Sequence, residues 1–212
     1  MNRIGPGGVI SIPGELCEAS VKETQKASVK ESHRVIGHGE VVRGAVRQFR
    51  LQGSVDMEML ATQLAVSRAT LYRVAGSRDA LLGNALWLLG DRLLARSRAA
   101  RRQRGPDGVI EVSRRFAERL RAARSMRRFV GAEPQTAARV LFTPSGEVHR
   151  RAILAQRDIF VEAGAGRSSD DLFPLAFLYV RIMESVLYGE LFSGRAVEFP
   201  TAERALRGLL PD

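Results

Sequence analysis

The sequence predicts an all-α protein: an N-terminal three-helix head built around a helix-turn-helix, then a C-terminal helical domain. Three observations carry this. Apolar residues recur at spacings of three and four through most of the 212 residues. No stretch alternates apolar and polar residues as a half-buried strand would. The glycines and prolines at Gly53, Gly76, Gly105-Pro106, Pro134, Pro144 and Pro200 punctuate the periodic segments.

Residues 1–36 read as an extension, because Gly5-Pro6-Gly7-Gly8 and Pro13-Gly14 break any element and residues 15–36 carry no convincing apolar face. A first helix is expected over Glu40–Leu51, with Val42, Val46 and Phe49 inward and Gly53 as its stop. Asp56 is an N-cap for a second helix over Met57–Leu64, where Met57, Leu60, Ala61 and Leu64 share one face. The small Ala61 lets the next helix cross close by. Ala65-Val66-Ser67 forms the turn, and Ser67 caps a third helix over Arg68–Val74 whose Leu71 and Val74 point inward. After Ala75-Gly76, Ser77 caps a long fourth helix running to Arg102.

The outward residues of the third helix carry the chemistry. A short helix after a tight turn fits the major groove of DNA. Arg68 can fork onto a guanine edge, and Thr70 can reach a base or a thymine methyl beside the small Ala69. Tyr72 and Arg73 suit phosphate contacts. Ser77 and Arg78, at a helix N-terminus, suit a phosphate clamp. The candidate DNA-binding set is therefore Ser67, Arg68, Ala69, Thr70, Tyr72, Arg73, Ser77 and Arg78. Charge agrees: residues 40–104 hold 12 Arg against 5 acidic residues, and most of the net +10 lies there. The bland alternative for Arg96–Arg104 is a solvated helix end favoured by the helix dipole.

Leu60-Ala61, Val66-Ser67, Thr70-Leu71-Tyr72, Ser77-Arg78-Asp79 and Leu81-Leu82 resemble, in register, the DNA-binding domain of the TetR family of transcription regulators. The chain departs from that pattern at Ala65, where the family usually has Gly, at Ala75, where it has an aromatic, and at Arg78, where it has the clamp lysine. If Ala65 needs a left-handed backbone, the side chain costs roughly 1 kcal/mol. The resemblance implies homodimers, a palindromic double-stranded DNA operator and a small-molecule effector.

Beyond Gly105 helices are expected over 106–123, 125–131, 134–142, 146–163, 170–192 and 201–210. The expected organisation is an extension (1–36), a DNA-binding head (37–83), a linking helix (84–104) and an effector-binding and dimerisation domain (105–212). Leu172–Phe192 is apolar on nearly every side and needs covering on several faces, a second copy being the expected cover with Leu187 in the interface. Arg181 and Glu184 can pair with each other, meet an effector or cross that interface. Met126, Phe129, Phe142, Phe177, Arg181, Glu184 and Tyr188 are the candidate pocket residues. The run LYVRIMESVLYGE also resembles the regulatory domain of the QsdR-type branch of the family.

Enzyme signatures are absent. His33, His38 and His149 are scattered, no zinc-site spacing or phosphate loop occurs, and no cofactor or metal is implied. The lone Cys17 forms no internal disulfide. No charge-free apolar run of ~20 residues and no signal peptide are read, so a cytoplasmic protein without a membrane span is expected. The function implied is a sequence-specific transcription regulator, a repressor released by a small molecule. The alternative is a helical DNA-binding or protein-binding module with no effector.

Overall fold

Ten α-helices and no strand make up the described residues, 36–143, 147–165 and 172–210 of the computed structural model. They are α1 (His38–Gln52), α2 (Met57–Gln63), α3 (Arg68–Ala75), α4 (Arg78–Ala99), α5 (Gly105–Ala122), α6 (Arg124–Ala132), α7 (Pro134–Phe142), α8 (Val148–Ala163), α9 (Leu172–Ser193) and α10 (Phe199–Leu209). The extension expected at the N-terminus, and the break expected at Pro144, lie outside the described residues.

The head forms through local chemistry. Asp56 accepts hydrogen bonds from the amides of Glu58 and Met59 at 2.8 and 3.0 Å and so starts α2. Its own amide donates to the buried Gln48 of α1, which fixes the α1–α2 corner. Ser67 accepts from the amide of Thr70 at 3.1 Å and starts α3, and Ser77 accepts from that of Ala80 at 3.0 Å and starts α4. Ala65 does adopt a left-handed backbone, φ 53°, and the amide of Val66 reaches back to the Ala61 carbonyl at 3.0 Å.

Two apolar cores follow. The first joins the inward faces of α1 to α4 (Val41, Phe49, Leu60, Leu71 and Leu82 among them) to Met126, Phe129, Val140 and Leu141 of α6 and α7. Phe129 meets Phe49 edge-on, with ring centroids 5.5 Å apart. Gly53, at φ 76°, lies so close to α6 that a Cβ there would stand 3.0 Å from the Ser125 carbonyl oxygen. The second core is built by α5, α8, α9 and α10 around Val109, Ile159, Phe160, Tyr179 and Leu206. Tyr179 is fully buried, with its hydroxyl 2.9 Å from that of Ser113.

Helix α9 is less uniform than its composition suggests. Leu172, Ala176, Tyr179, Val180, Met183 and Val186 are buried, while Phe173, Phe177 and Leu178 are exposed. By length and composition alone Leu172–Leu191 could cross a membrane. Here its inner face packs against α5, α8 and α10. Leu187, expected in an interface, is half-buried and lines a cavity.

Candidate nucleic-acid interface and cavity

Helix α3 is pinned by one buried stripe and leaves the rest free. Leu71 is fully buried and Val74 packs against the first core, while Ser67, Arg68, Ala69, Tyr72 and Arg73 are exposed and Thr70 is half-buried. No hydrogen bond or ion pair joins Arg68 or Arg73 to another described residue. The outer face thus presents two unneutralised guanidinium groups, a phenol and a hydroxyl within two turns. The Thr70 hydroxyl accepts from that of Ser67 at 2.9 Å, which sets its rotamer.

Arg78 corrects the expectation of a phosphate clamp. Its Nε donates to the Val55 carbonyl at 2.7 Å, and its Nη1 and Nη2 both donate to the Glu133 carboxylate at 2.8 Å. Three of its five N–H groups are thus engaged within the chain. Those hydrogen bonds raise the Arg78 pKa and hold the Glu133 carboxyl below the usual carboxylate range. Asp79, the next residue, pairs with Arg139 of α7 at 2.8 Å. The first turn of α4 is therefore tied to α7 and its junction with α6. Ser77 stays exposed beside it.

The arginine excess is divided in the same way. Arg98 pairs with Glu162 of α8, and Arg101 donates to the Glu162 carbonyl at 3.1 Å. Glu111 accepts from the amides of Arg102 and Gln103 and from the Arg115 guanidinium, which brings its pKa down to about 2 and holds the α4–α5 connection. These charges serve the fold rather than a polyanion.

A cavity of about 360 Å³ opens between α4 and helices α5 to α9. Leu86, Leu89 and Leu93 of α4, Phe116 of α5, Met126 of α6 and Met183 of α9 give it an apolar wall. Of the expected pocket residues, Met126, Phe142, Glu184 and Tyr188 do line it. Three do not. Phe129 is fully buried in the first core, Phe177 is exposed with its ring edge against His149, and the exposed Arg181 pairs with Glu184 at 2.8 Å. That pair is the intrahelical one its spacing allows.

At the inner side of the cavity Glu184 and His149 satisfy each other. His149 Nδ1 lies 2.7 Å from Glu184 Oε1, so Glu184 is held on both oxygens. Burial pushes the Tyr188 hydroxyl well above its ordinary pKa, with Glu184 adding to the effect, and its ring packs edge-on against Phe142. Gln156 differs: its side chain is buried and its Nε2 has no hydrogen-bond partner. An orphaned amide donor of this kind costs about 1–3 kcal/mol. The sequence reading missed Gln156 and His149. Gln156 lies three and four residues from Ile153 and Phe160, a polar residue on an apolar stripe, and that was its available signal.

Known proteins match on both levels. The family described as "Tetracyclin repressor-like, C-terminal domain" matches residues 104–211, just over half of the chain. Among solved structures, the fold is similar to that of the R. erythropolis transcriptional repressor QsdR from the TetR family. The two share 25% sequence identity over 82% of this chain and 93% of that one, with a TM-score of 0.74. No curated protein is a match. With a helix-turn-helix whose outer face is left unpaired and a matching C-terminal domain, the chain belongs to the TetR family of transcription regulators.

Proposed function

We propose that the protein is a homodimeric, cytoplasmic repressor that leaves a palindromic operator when a small molecule enters the cavity. The observation that carries this reading is the placement of α4. Its capped start abuts α3, and its middle, Leu86 to Arg96, is a wall of the cavity. A ligand that favours one position of α4 over another shifts the spacing of two α3 helices in a dimer, and so shifts DNA affinity. Arg68 and Thr70 read bases, Tyr72, Arg73 and Ser77 hold phosphate, and Ala69 permits close approach. Arg78 positions the head instead.

The dimer surface is the outer face of α8 and α9, where Val161, Phe173, Phe177 and Leu178 are exposed together. The working division is a head over residues 37–83, a linking helix over 84–104 and an effector-binding and dimerisation domain over 105–212.

The test is selection of bound sequences from a random double-stranded DNA pool at about physiological salt, which suppresses nonspecific binding. An enriched palindrome is expected. Salt-sensitive binding with no enriched motif would overturn the reading and leave a nonspecific helical DNA-binding module in its place.

A further inference from the structure

The cavity has an asymmetry that its apolar wall conceals. Among its described lining residues, the exposed ones are Arg50, Arg92 and Arg96, and each is an arginine. None of the three guanidinium groups makes a hydrogen bond or ion pair with another described residue. At the inner side, by contrast, Glu184 is paired with Arg181 and lies in hydrogen-bond contact with His149. The cavity is therefore charge-balanced within and cationic at its open side.

Two bland explanations fail. The first is that these arginines serve DNA. Arg92 and Arg96 follow Arg78 by 14 and 18 positions on one continuous helix, which places them roughly 21 and 27 Å along its axis from the end beside α3. Arg50 sits in the last turn of α1, whose Gly53 abuts α6. All three line the cavity. The second is simple solvation. Arg92 and Arg96 stand four apart on α4, an arrangement disfavoured by like-charge repulsion. No acid among the described residues pairs with them, whereas Arg98, two residues on from Arg96, has Glu162.

We propose that the ligand of this cavity is an amphipathic anion: an apolar acyl or alkyl chain lies against Leu86, Leu89, Leu93, Phe116 and Met183, and its carboxylate or phosphate is held at the mouth by Arg50, Arg92 and Arg96. The inference rests on the reading of the cavity as the effector site and adds the class of effector. A guanidinium fork matches the planar oxygens of either headgroup, and an anion among three arginines relieves their mutual repulsion. Water solvates the open side, so the headgroup sets selectivity while the chain supplies most of the affinity.

The chain supplies its own reporter. Trp87 is its one tryptophan, and it lines the cavity. Titrating the full-length protein with decanoate, decyl phosphate and 1-decanol, each below micelle formation, while following Trp87 fluorescence reads occupancy directly. At least one of the two anions is expected to bind about tenfold or more tightly than the alcohol, and the preference shrinks as salt is raised. Which anion binds better distinguishes a carboxylate from a phosphate effector. In the double variant R92Q/R96Q the preference for the anion is expected to vanish, leaving all three compounds within about twofold of one another.

Equal binding of alcohol and anions to the unaltered protein would overturn the proposal, as would a preference that survives in R92Q/R96Q. Binding of none of the three would overturn it as well. Each of these outcomes leaves the regulator reading standing, because that reading is tested separately by sequence selection on ligand-free protein. Circular dichroism of the double variant confirms the fold, and the single variant R50Q provides a second reading from a different helix.

Discussion

The outer face of α3 and the inner wall of the cavity handle charge in opposite ways. The guanidinium groups of Arg68 and Arg73 have no partner among the described residues, whereas Glu184 is bound on both oxygens and the buried Ser113 hydroxyl meets that of Tyr179 behind the wall. The difference follows from water. An exposed guanidinium keeps its hydration and waits for an anion from outside at little cost. A carboxylate taken into an apolar wall loses several kcal/mol unless a cation stands beside it. Groups that remain unmatched thus mark surfaces completed by another molecule, and matched groups mark surfaces the chain completes itself. The exposed apolar residues of α8 and α9 belong to the first kind, and Arg78 belongs to the second.

Substitutions at the two kinds of surface should therefore separate association from stability. The largest effect is expected at the apolar one. Leu178→Asp should weaken dimer association by at least about 2 kcal/mol, roughly a thirtyfold change, with the unfolding midpoint at low protein concentration little altered. Sedimentation velocity checks it. An unchanged mass would move Leu178 out of the interface.

Next is Arg78→Met, which removes the cation from a pair whose members retain 31% and 25% exposure. The expected loss is about 2 kcal/mol of folding stability, below the ~3–5 of a fully buried pair because solvent screens both ends. Urea unfolding at pH 7 measures it. The carboxyl partner adds a pH signature. Arg78 holds the folded-state pKa of Glu133 below its unfolded value. The stabilisation is then fully present above roughly pH 4.3 and is lost as pH falls through the lowered value. Glu133→Gln should flatten the acid limb of the stability curve in that window, and an unchanged limb would mean the pair does not persist in solution.

Arg68→Ala sharpens the contrast. It should leave stability within about 0.5 kcal/mol while costing roughly 1–3 kcal/mol in operator affinity, concentrated at one base pair. Equal loss on every DNA sequence would assign Arg68 to phosphate.

The head was legible because its determinants are short-range. Asp56, Ser67 and Ser77 cap helices two or three residues away, and the spacing of Met57, Leu60, Ala61 and Leu64 names one face without reference to the rest of the chain. What the sequence did not disclose depends on distant partners. Arg78 and Glu133 are 55 residues apart, and nothing near Arg78 announces a carboxylate that would turn the guanidinium inward. Likewise Phe129 and Phe177 are aromatic in apolar surroundings, but one fills the core beside Phe49 and the other lies outside beside His149. Periodicity shows that α9 has an inner face. It does not say which of its neighbours leave a gap, and so it does not disclose that Leu187 lines the cavity.

The smallest effect tests a local departure from the family pattern. Ala65 sits at φ 53° in the turn before α3, where a Cβ crowds the following carbonyl and costs roughly 1–2 kcal/mol. Glycine relieves that crowding but gives up about 0.5–1 kcal/mol through the greater freedom of its unfolded chain. Ala65→Gly should therefore stabilise the protein by about 0.5–1 kcal/mol, with operator affinity unchanged because the capping bond from Ser67 to Thr70 stays in place. Thermal unfolding of the two proteins side by side reads the difference. A destabilised glycine variant would mean the turn relaxes out of the left-handed region in solution, and the entry angle of α3 would then be held by Val66 and Leu71 alone.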